Sequence, residues 1–264
     1  MTPLIDSHSH LDADAFDADR EAVLARARAA GVLAQVVPAV DAAGWSGLQR
    51  LTVAQPGLHA ACGLHPVYLA EHRDEHLDAL ESWLDRHPRT VAVGECGLDF
   101  FVPGLDRMRQ RRLFEAQLDI ARRRTLPVIV HARRALDAVI GLLRRARLDR
   151  GGVLHSFSGS SEQARQLWAL GFHLGIGGPL TYPRAQRLRR LVATMPAGLL
   201  LLETDSPDQS DCDWRGQRNE PARLRRVLAE AALLRDESEA ALAAITDANA
   251  ARLFGLHGAA PAAG

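Results

Sequence analysis

The chain has 264 residues, 47% of them hydrophobic and 24% charged, with 32 basic residues against 32 acidic ones for a formal net charge of zero. That length suits one large α/β domain, because barrels of alternating strands and helices run to about 250 residues, and the absent net charge gives no global field for nucleic acid or anionic membranes. Lysine is missing altogether, so all 32 basic residues are arginines; this excludes Schiff-base aldolases, pyridoxal enzymes, P-loop nucleotide hydrolases and any metal site bridged by a carboxylated lysine. From the N-terminus, Leu4-Ile5 begin a buried strand, and Asp17 to Ala30 places Val23, Ala27 and Ala30 at helical spacing before Gly31 stops the helix. Val32 to Pro38 is a short apolar run of strand length, Trp45 to Ala54 returns to helical period, and Leu58 to Leu64 is apolar again, ending in His65-Pro66. The alternation continues with helix Leu77 to Arg86, strand Thr90 to Glu95, helix Arg107 to Arg124 and strand Pro127 to His131. Helix Leu136 to Ala146, strand Gly152 to His155, helix Ser161 to Ala169, strand Phe172 to Ile176, helix Ala185 to Ala193 and strand Leu199 to Glu203 follow. Glu220 to Leu234 and Glu237 to Phe254 are helical, the second as an extra C-terminal helix, and His257 to Gly264 is a small-residue tail expected to fray.

Strand and helix units alternating at intervals of roughly 20 to 35 residues imply parallel βαβ units, and eight of them close into a (β/α)8 TIM barrel. The expected fold is therefore α/β, one domain over residues 1–256 followed by a flexible tail over 257–264. An open doubly wound sheet is the competing reading, but its first turn should carry a glycine-rich phosphate fingerprint, and here that turn carries His and Asp. Cys62, Cys96 and Cys212 are odd in number and form no C-x-x-C pair, which argues against a disulfide framework and a zinc knuckle and for reduced thiols in the cytoplasm. No apolar run approaches the roughly 18 residues of a membrane span, and no basic-then-apolar leader opens the chain.

Residues at the C-terminal ends of barrel strands converge on one mouth. Strand one ends in His8-Ser9-His10, whose alternating register points both imidazoles the same way. Strand three ends in His65, strand four in Glu95, strand five in His131, strand six in His155, and Asp205 lies just past strand eight. A lone histidine is more often a hydrogen-bonded core or loop residue than a ligand, but this phase recurs at six strand ends, while His72, His76, His87 and His257 fall on helices, helix ends or the tail and His59 and His173 near strand starts. Four imidazoles and two carboxylates suffice for two divalent ions. The expected division is His8, His10 and Asp205 on one ion, His131 and His155 on the other, and Glu95 bridging. Ions so paired lower the pKa of a water to about 7 and stabilise displacement at phosphorus without a covalent intermediate; Asp205 can also take the proton as base.

The words that carry these residues are Asp6-Ser7-His8-Ser9-His10, Gly63-Leu64-His65-Pro66, Gly94-Glu95-Cys96-Gly97-Leu98-Asp99, Leu126 to Arg133, His155-Ser156-Phe157-Ser158-Gly159, Leu202 to Pro207 and Arg218-Asn219-Glu220-Pro221. In combination the chain resembles the TatD family of metal-dependent deoxyribonucleases, among the amidohydrolase-like barrels. The resemblance implies the barrel, the same ligands, phosphodiester hydrolysis of DNA in the manner of a 3′–5′ exonuclease, and Mg²⁺, Mn²⁺ or Zn²⁺ as cofactor; imidazole-rich ligation favours Zn or Mn.

Two features depart from that pattern. Ser156 stands where relatives carry Cys, and Ser206 to Gln217 is long and acidic, with Asp208, Asp211 and Asp213 set to repel a phosphate backbone. Those carboxylates favour a second reading, in which the same metals cleave a non-nucleic-acid ester, amide or lactone, or the ester of an aminoacyl-tRNA; a third is a metal-binding scaffold without turnover. Arg133, two residues past His131, is the arginine placed to hold a phosphate, or else to brace a neighbouring carboxylate. His65 is a substrate contact or a structural turn. Tyr68, Phe100, Phe101, Phe157, Tyr182 and Trp214 all fall in loops after strands, as base-stacking platforms or as loop packing. Glu203 and Thr204 pin the loop that presents Asp205, and Asp99 orients a neighbour. The arginine runs at 122–124, 144–147 and 187–190 are solvated helix faces. The expected partner is DNA or another phosphodiester or ester substrate; no membrane and no protein partner are implied.

Overall fold

The computed structural model describes residues 2–256, so the tail reading for 257–264 lies outside the described residues. Strands and helices alternate as β1 (Leu4–Asp6), α1 (Arg20–Ala29), β2 (Val32–Pro38), α2 (Trp45–Ala54), β3 (Leu58–Cys62), α3 (Glu75–Arg86), β4 (Ala92–Asp99) and α4 (Arg107–Arg124). They continue with β5 (Val128–Arg133), α5 (Leu136–Ala146), β6 (Gly152–Leu154), α6 (Ser161–Ala169), β7 (Phe172–Ile176), α7 (Gln186–Thr194), β8 (Leu200–Leu202), α8 (Leu224–Arg235) and α9 (Glu239–Phe254). The sheet runs β1 to β8 in chain order with parallel registers. This is the (β/α)8 class, with α9 as the additional C-terminal helix. Among the described residues no helix is long and apolar enough to cross a membrane.

Local chemistry explains the boundaries. Ser160 caps α6 reciprocally, its hydroxyl accepting from the Gln163 N–H and the Gln163 side chain accepting from the Ser160 N–H. Asp106 caps α4 by accepting from the Met108 and Arg109 N–H groups. Val128, Ile129 and Val130 of β5 are wholly buried, the continuous apolar run of a strand covered on both faces. Several boundaries differ from those read in the sequence: β3 ends at Cys62, β5 continues past His131 to Arg133, β6 ends at Leu154 before His155, and α8 begins at Leu224 rather than Glu220. β1 ends at Asp6, before the histidines, and β4 continues past Glu95 to Asp99. Gly94 and Gly97 punctuate the sequence like strand ends, but at Gly97 the glycine is there for close approach: its φ is +145° and a Cβ would lie 2.0 Å from the His131 carbonyl oxygen.

The described chain divides into two compact units. The first comprises residues 2–37, 55–58 and 175–256. In it β1 pairs with β2 through Leu4–Val32 and Asp6–Gln35, and the Ser7 N–H reaches the Leu202 carbonyl at 3.0 Å. Helix α9 closes the starts of these strands: Asp247 Oδ1 accepts the Ile5 N–H at 2.9 Å, and the Asn249 amide donates to the carbonyls of Ala197 and Leu200. The second unit comprises residues 38–54 and 59–174. There β4 pairs with β5 and β5 with β6, with a register shift in β4 between Val93 and Cys96. Two buried glutamines of α4 bond backbone groups at the end of β4 and in the loop after β3. Gln117 accepts from Leu64 N–H at 2.7 Å and donates to its carbonyl at 3.2 Å, and Gln110 does the same for Asp99 at 2.8 and 2.9 Å. Each satisfies two buried backbone groups with one side chain.

Candidate metal centre

In the first unit the chain leaves β1 and is held by backbone bonds, Ser9 N–H to the Val36 carbonyl at 3.1 Å and His10 N–H to the Ser206 carbonyl at 2.7 Å. His8 Nε2 and His10 Nε2 then lie 3.2 Å apart. Asp205 Oδ1 lies 3.4 Å from the first and 3.6 Å from the second. Asp205 adopts a left-handed φ of +54°, and its N–H reaches the His8 carbonyl at 2.9 Å. The bend is strapped by Asp6, which is fully buried. Its Oδ2 accepts the Thr204 hydroxyl at 2.6 Å, and its Oδ1 accepts the N–H of Thr204 at 3.0 Å and of His8 at 3.2 Å. Burial raises the Asp6 carboxyl to about 7 against those three hydrogen bonds. Asn219 donates to the carbonyls of Thr204 and Asp208 at 2.9 and 2.8 Å, and the Gln209 amide donates to Asp205 Oδ2.

In the second unit three imidazoles surround one carboxylate oxygen: Glu95 Oε1 is 2.7 Å from His155 Nε2, 3.1 Å from His131 Nδ1 and 3.2 Å from His65 Nε2. His131 Nδ1 is 3.3 Å from His155 Nε2. Asp99 Oδ2 lies 3.1 Å from His131 Nε2. Burial pushes the Asp99 carboxyl up, but His131 and the N–H groups of Val102 and Phe101 overcome it and hold the group down to about 2. Asp99 is thus an acceptor, the His131 proton sits on Nε2, and Nδ1 faces Glu95 and His155 with either a second proton or a lone pair for a cation. Burial lowers the His131 pKa, but Asp99 and Glu95 more than offset this, so the ring is raised overall. His65 differs. Its Nδ1 accepts the Val67 N–H at 3.2 Å, so in the neutral ring Nε2 carries the proton and donates to Glu95.

Each unit therefore presents two imidazoles and a carboxylate, with donor atoms crowded within 3.6 Å of a neighbour. At this range each contact holds either an imidazole proton or a cation shared between lone pairs, and an N₂O donor set suits Zn²⁺ or Mn²⁺. The residues present fit a divalent ion.

Around these clusters Arg133 is exposed at the end of β5, its guanidinium 3.7 Å from the Phe101 ring centroid. Among the described residues it pairs with no carboxylate. The loop aromatics divide: Phe157 is buried, the Tyr182 hydroxyl donates to the Ser210 and Asp211 carbonyls at 3.1 and 3.3 Å, and Tyr68 and Phe101 are exposed. Of the three aspartates in the acidic segment, Asp208 is exposed and the other two are paired with arginines. Asp211, buried, makes two bonds to Arg223 at 2.7 and 2.9 Å, and Asp213 pairs with Arg226 at 2.7 Å, so both carboxylates are turned onto α8 and its preceding turn.

The family model for TatD related DNase matches residues 5–255. The chain belongs to the TatD family. It is thereby one of the metal-dependent hydrolases. Among TatD relatives it is 44% identical over 234 residues to "Uncharacterized metal-dependent hydrolase YjjV" of Escherichia coli K12, covering 88% of this chain and 90% of that one. It is 36% identical over 260 residues to "3'-5' ssDNA/RNA exonuclease TatD" of Klebsiella pneumoniae, covering 96% and 98%. The crystal structure of YjjV, a TatD homologue from Escherichia coli K12, superposes with a TM-score of 0.93 at 42% identity over 96% of this chain and 98% of that chain.

Within the TatD chain, Asp6 and Asn219 carry the bend that presents Asp205, yet the sequence assigned them no role although both stand inside matching words. Gln209 stands in none of them. Its bond to Asp205 depends on a loop conformation that has no periodic signature.

Proposed function

We propose that this TatD chain is a 3′–5′ exonuclease on single-stranded DNA ends that uses two divalent ions, one held by His8, His10 and Asp205 and the other by His131 and His155, with Glu95 as the bridging carboxylate. The observation that carries the reading is the crowding of imidazole and carboxylate acceptors around Glu95 Oε1 and around Asp205 Oδ1. Bound ions of this kind supply an acidified water and polarise the phosphoryl oxygen. Asp205 presents one oxygen to the imidazoles and is the proton acceptor, while Asp99 holds His131 in the ligating tautomer. The stacked Arg133 guanidinium serves the substrate phosphate, preordered by Phe101, and the His65 Nε2–H, which bonds Glu95, would turn to that phosphate once Glu95 holds ions. The 3′–5′ single-stranded DNA and RNA exonuclease for which the Klebsiella relative is named supports the polarity and the single-stranded substrate. The acidic segment and the zero net charge favour carboxylic esters; with Asp211 and Asp213 neutralised by arginines, the first of these rests on Asp208 alone.

The test is a 5′-labelled single-stranded oligonucleotide incubated with Mg²⁺, Mn²⁺ or Zn²⁺, beside elemental analysis of protein purified without added metal. A ladder shortening from the 3′ end, abolished by Asp205→Asn and by chelation, is expected, with two ions per chain. An intact oligonucleotide under all three metals, together with release of a carboxylate from an ester panel, overturns it. A Glu95→Ala chain that keeps both ions removes the bridging role.

A further inference from the structure

We infer that the groove of about 420 Å³ bordered by Pro179, Tyr182, Arg184, Ala185, Gln209 and Ser210 is a subsite for the nucleotide adjoining the cleaved phosphodiester, with Arg184 gripping its phosphate. The inference rests on the nuclease reading and gives the substrate a second point of attachment. The groove lies wholly in the first unit and opens one side chain from the ligands, because Gln209 forms part of its wall and donates its amide to Asp205 Oδ2. Its size is within the range of about 300–1,000 Å³ that takes small molecules.

Its chemistry matches a nucleotide. Arg184 is exposed, its guanidinium 5.3 Å from the Tyr182 ring centroid, and among the described residues no carboxylate pairs with it. An arginine already held by an aromatic face loses less freedom when it takes up a phosphate fork-wise. The Tyr182 ring is itself fixed, since its hydroxyl is tied to the Ser210 and Asp211 carbonyls. A fixed aromatic wall beside a cation is the arrangement on which single-stranded bases stack without sequence preference. Two of the loop's three carboxylates are already neutralised, Asp211 by Arg223 and Asp213 by Arg226, and the third, Asp208, is exposed, where solvent screens it. A diester with no neighbouring nucleotide cannot use this groove.

The test compares the metal-loaded wild-type chain with Arg184→Ala and Arg184→Lys on a single-stranded oligonucleotide and on bis(p-nitrophenyl) phosphate. For Arg184→Ala the KM on the oligonucleotide should rise about tenfold with kcat within about twofold, a loss of kcat/KM at least about fivefold larger than that on the small diester, as removal of uniform binding requires. The slope of log kcat/KM against log salt should become shallower by about 0.7, the value for one phosphate contact on a single strand. Arg184→Lys, which keeps the charge, should restore the salt slope but not the full KM. An Arg184→Ala chain with wild-type KM and salt slope on the oligonucleotide overturns the subsite and leaves the nuclease reading standing. A wild-type chain that cleaves the small diester and never the oligonucleotide overturns both.

Discussion

Asp247 gives a pH dependence that can be worked through without any metal. Its Oδ1 accepts the Ile5 N–H at 2.9 Å, tying α9 to the first strand. Burial raises its carboxyl to about 7, and the Ile5 bond and Arg225 offset this only in part. An unfolded aspartate titrates near about 3.9, so between about pH 4 and about pH 7 the folded chain holds a proton that the unfolded chain has released. The stabilisation is full below the unfolded value and is lost as pH rises through the folded one. About three pH units at about 1.36 kcal/mol each set a ceiling near 4 kcal/mol, and the water that reaches a partly exposed side chain reduces this to about 1–3 kcal/mol. Asn keeps an oxygen for the Ile5 N–H and never ionises. Asp247→Asn should therefore gain on the wild type by about 1–3 kcal/mol as the buffer moves from about pH 4 to about pH 8, measured by urea unfolding of the chelator-treated chain. The buried Asp6, also raised to about 7, is common to both proteins and cancels in the difference. A difference that stays constant over this range, or a wild type that gains at the alkaline end, refutes the reasoning.

Gly97→Ala places a Cβ 2.0 Å from the His131 carbonyl oxygen, where only backbone can give way; a loss of about 2–4 kcal/mol is expected, read as a fall of about 5–15 °C in Tm. Asp99→Asn removes the acceptor that holds the His131 proton on Nε2; metal affinity should drop about 10–100-fold in a competition titration against a chromophoric chelator, and unchanged affinity would remove Asp99 from the site. Arg223→Ala strands the buried Asp211 carboxylate, at a cost of about 3 kcal/mol in urea unfolding. A cost under about 0.5 kcal/mol would mean that the loop's acids are solvated after all.

Much of this was legible in the letters because two periods dominate the chain. Helix α4 has edges that its cap and helical period announce, and histidines in the same phase of several units pick out the imidazoles that gather around Glu95 and Asp205. What was hidden depends on distance along the chain. The pairing of Asp211 with Arg223 joins an irregular loop to a turn and follows no helical or strand spacing, so an acid that reads as part of an anionic loop is buried and paired in place. The aromatics after the strands look alike in sequence, yet Phe157 is buried and Phe101 carries the Arg133 guanidinium, because loop depth has no local code. The two glycines of β4 mislead for a different reason: close packing between strands and chain reversal both call for a residue without a side chain.

The strap from Asp6 to Thr204 spans 198 residues of chain. Translation therefore finishes the two side-chain clusters at different moments: every member of the Glu95 cluster has been made once His155 is added, whereas the His8 and His10 pair must wait for the last strand to bring Asp205. A ribosome-bound fragment ending between those points carries one finished cluster and one half-finished cluster, and the carboxylate at the start of the protein has no hydroxyl to hold until the last quarter of the polypeptide emerges.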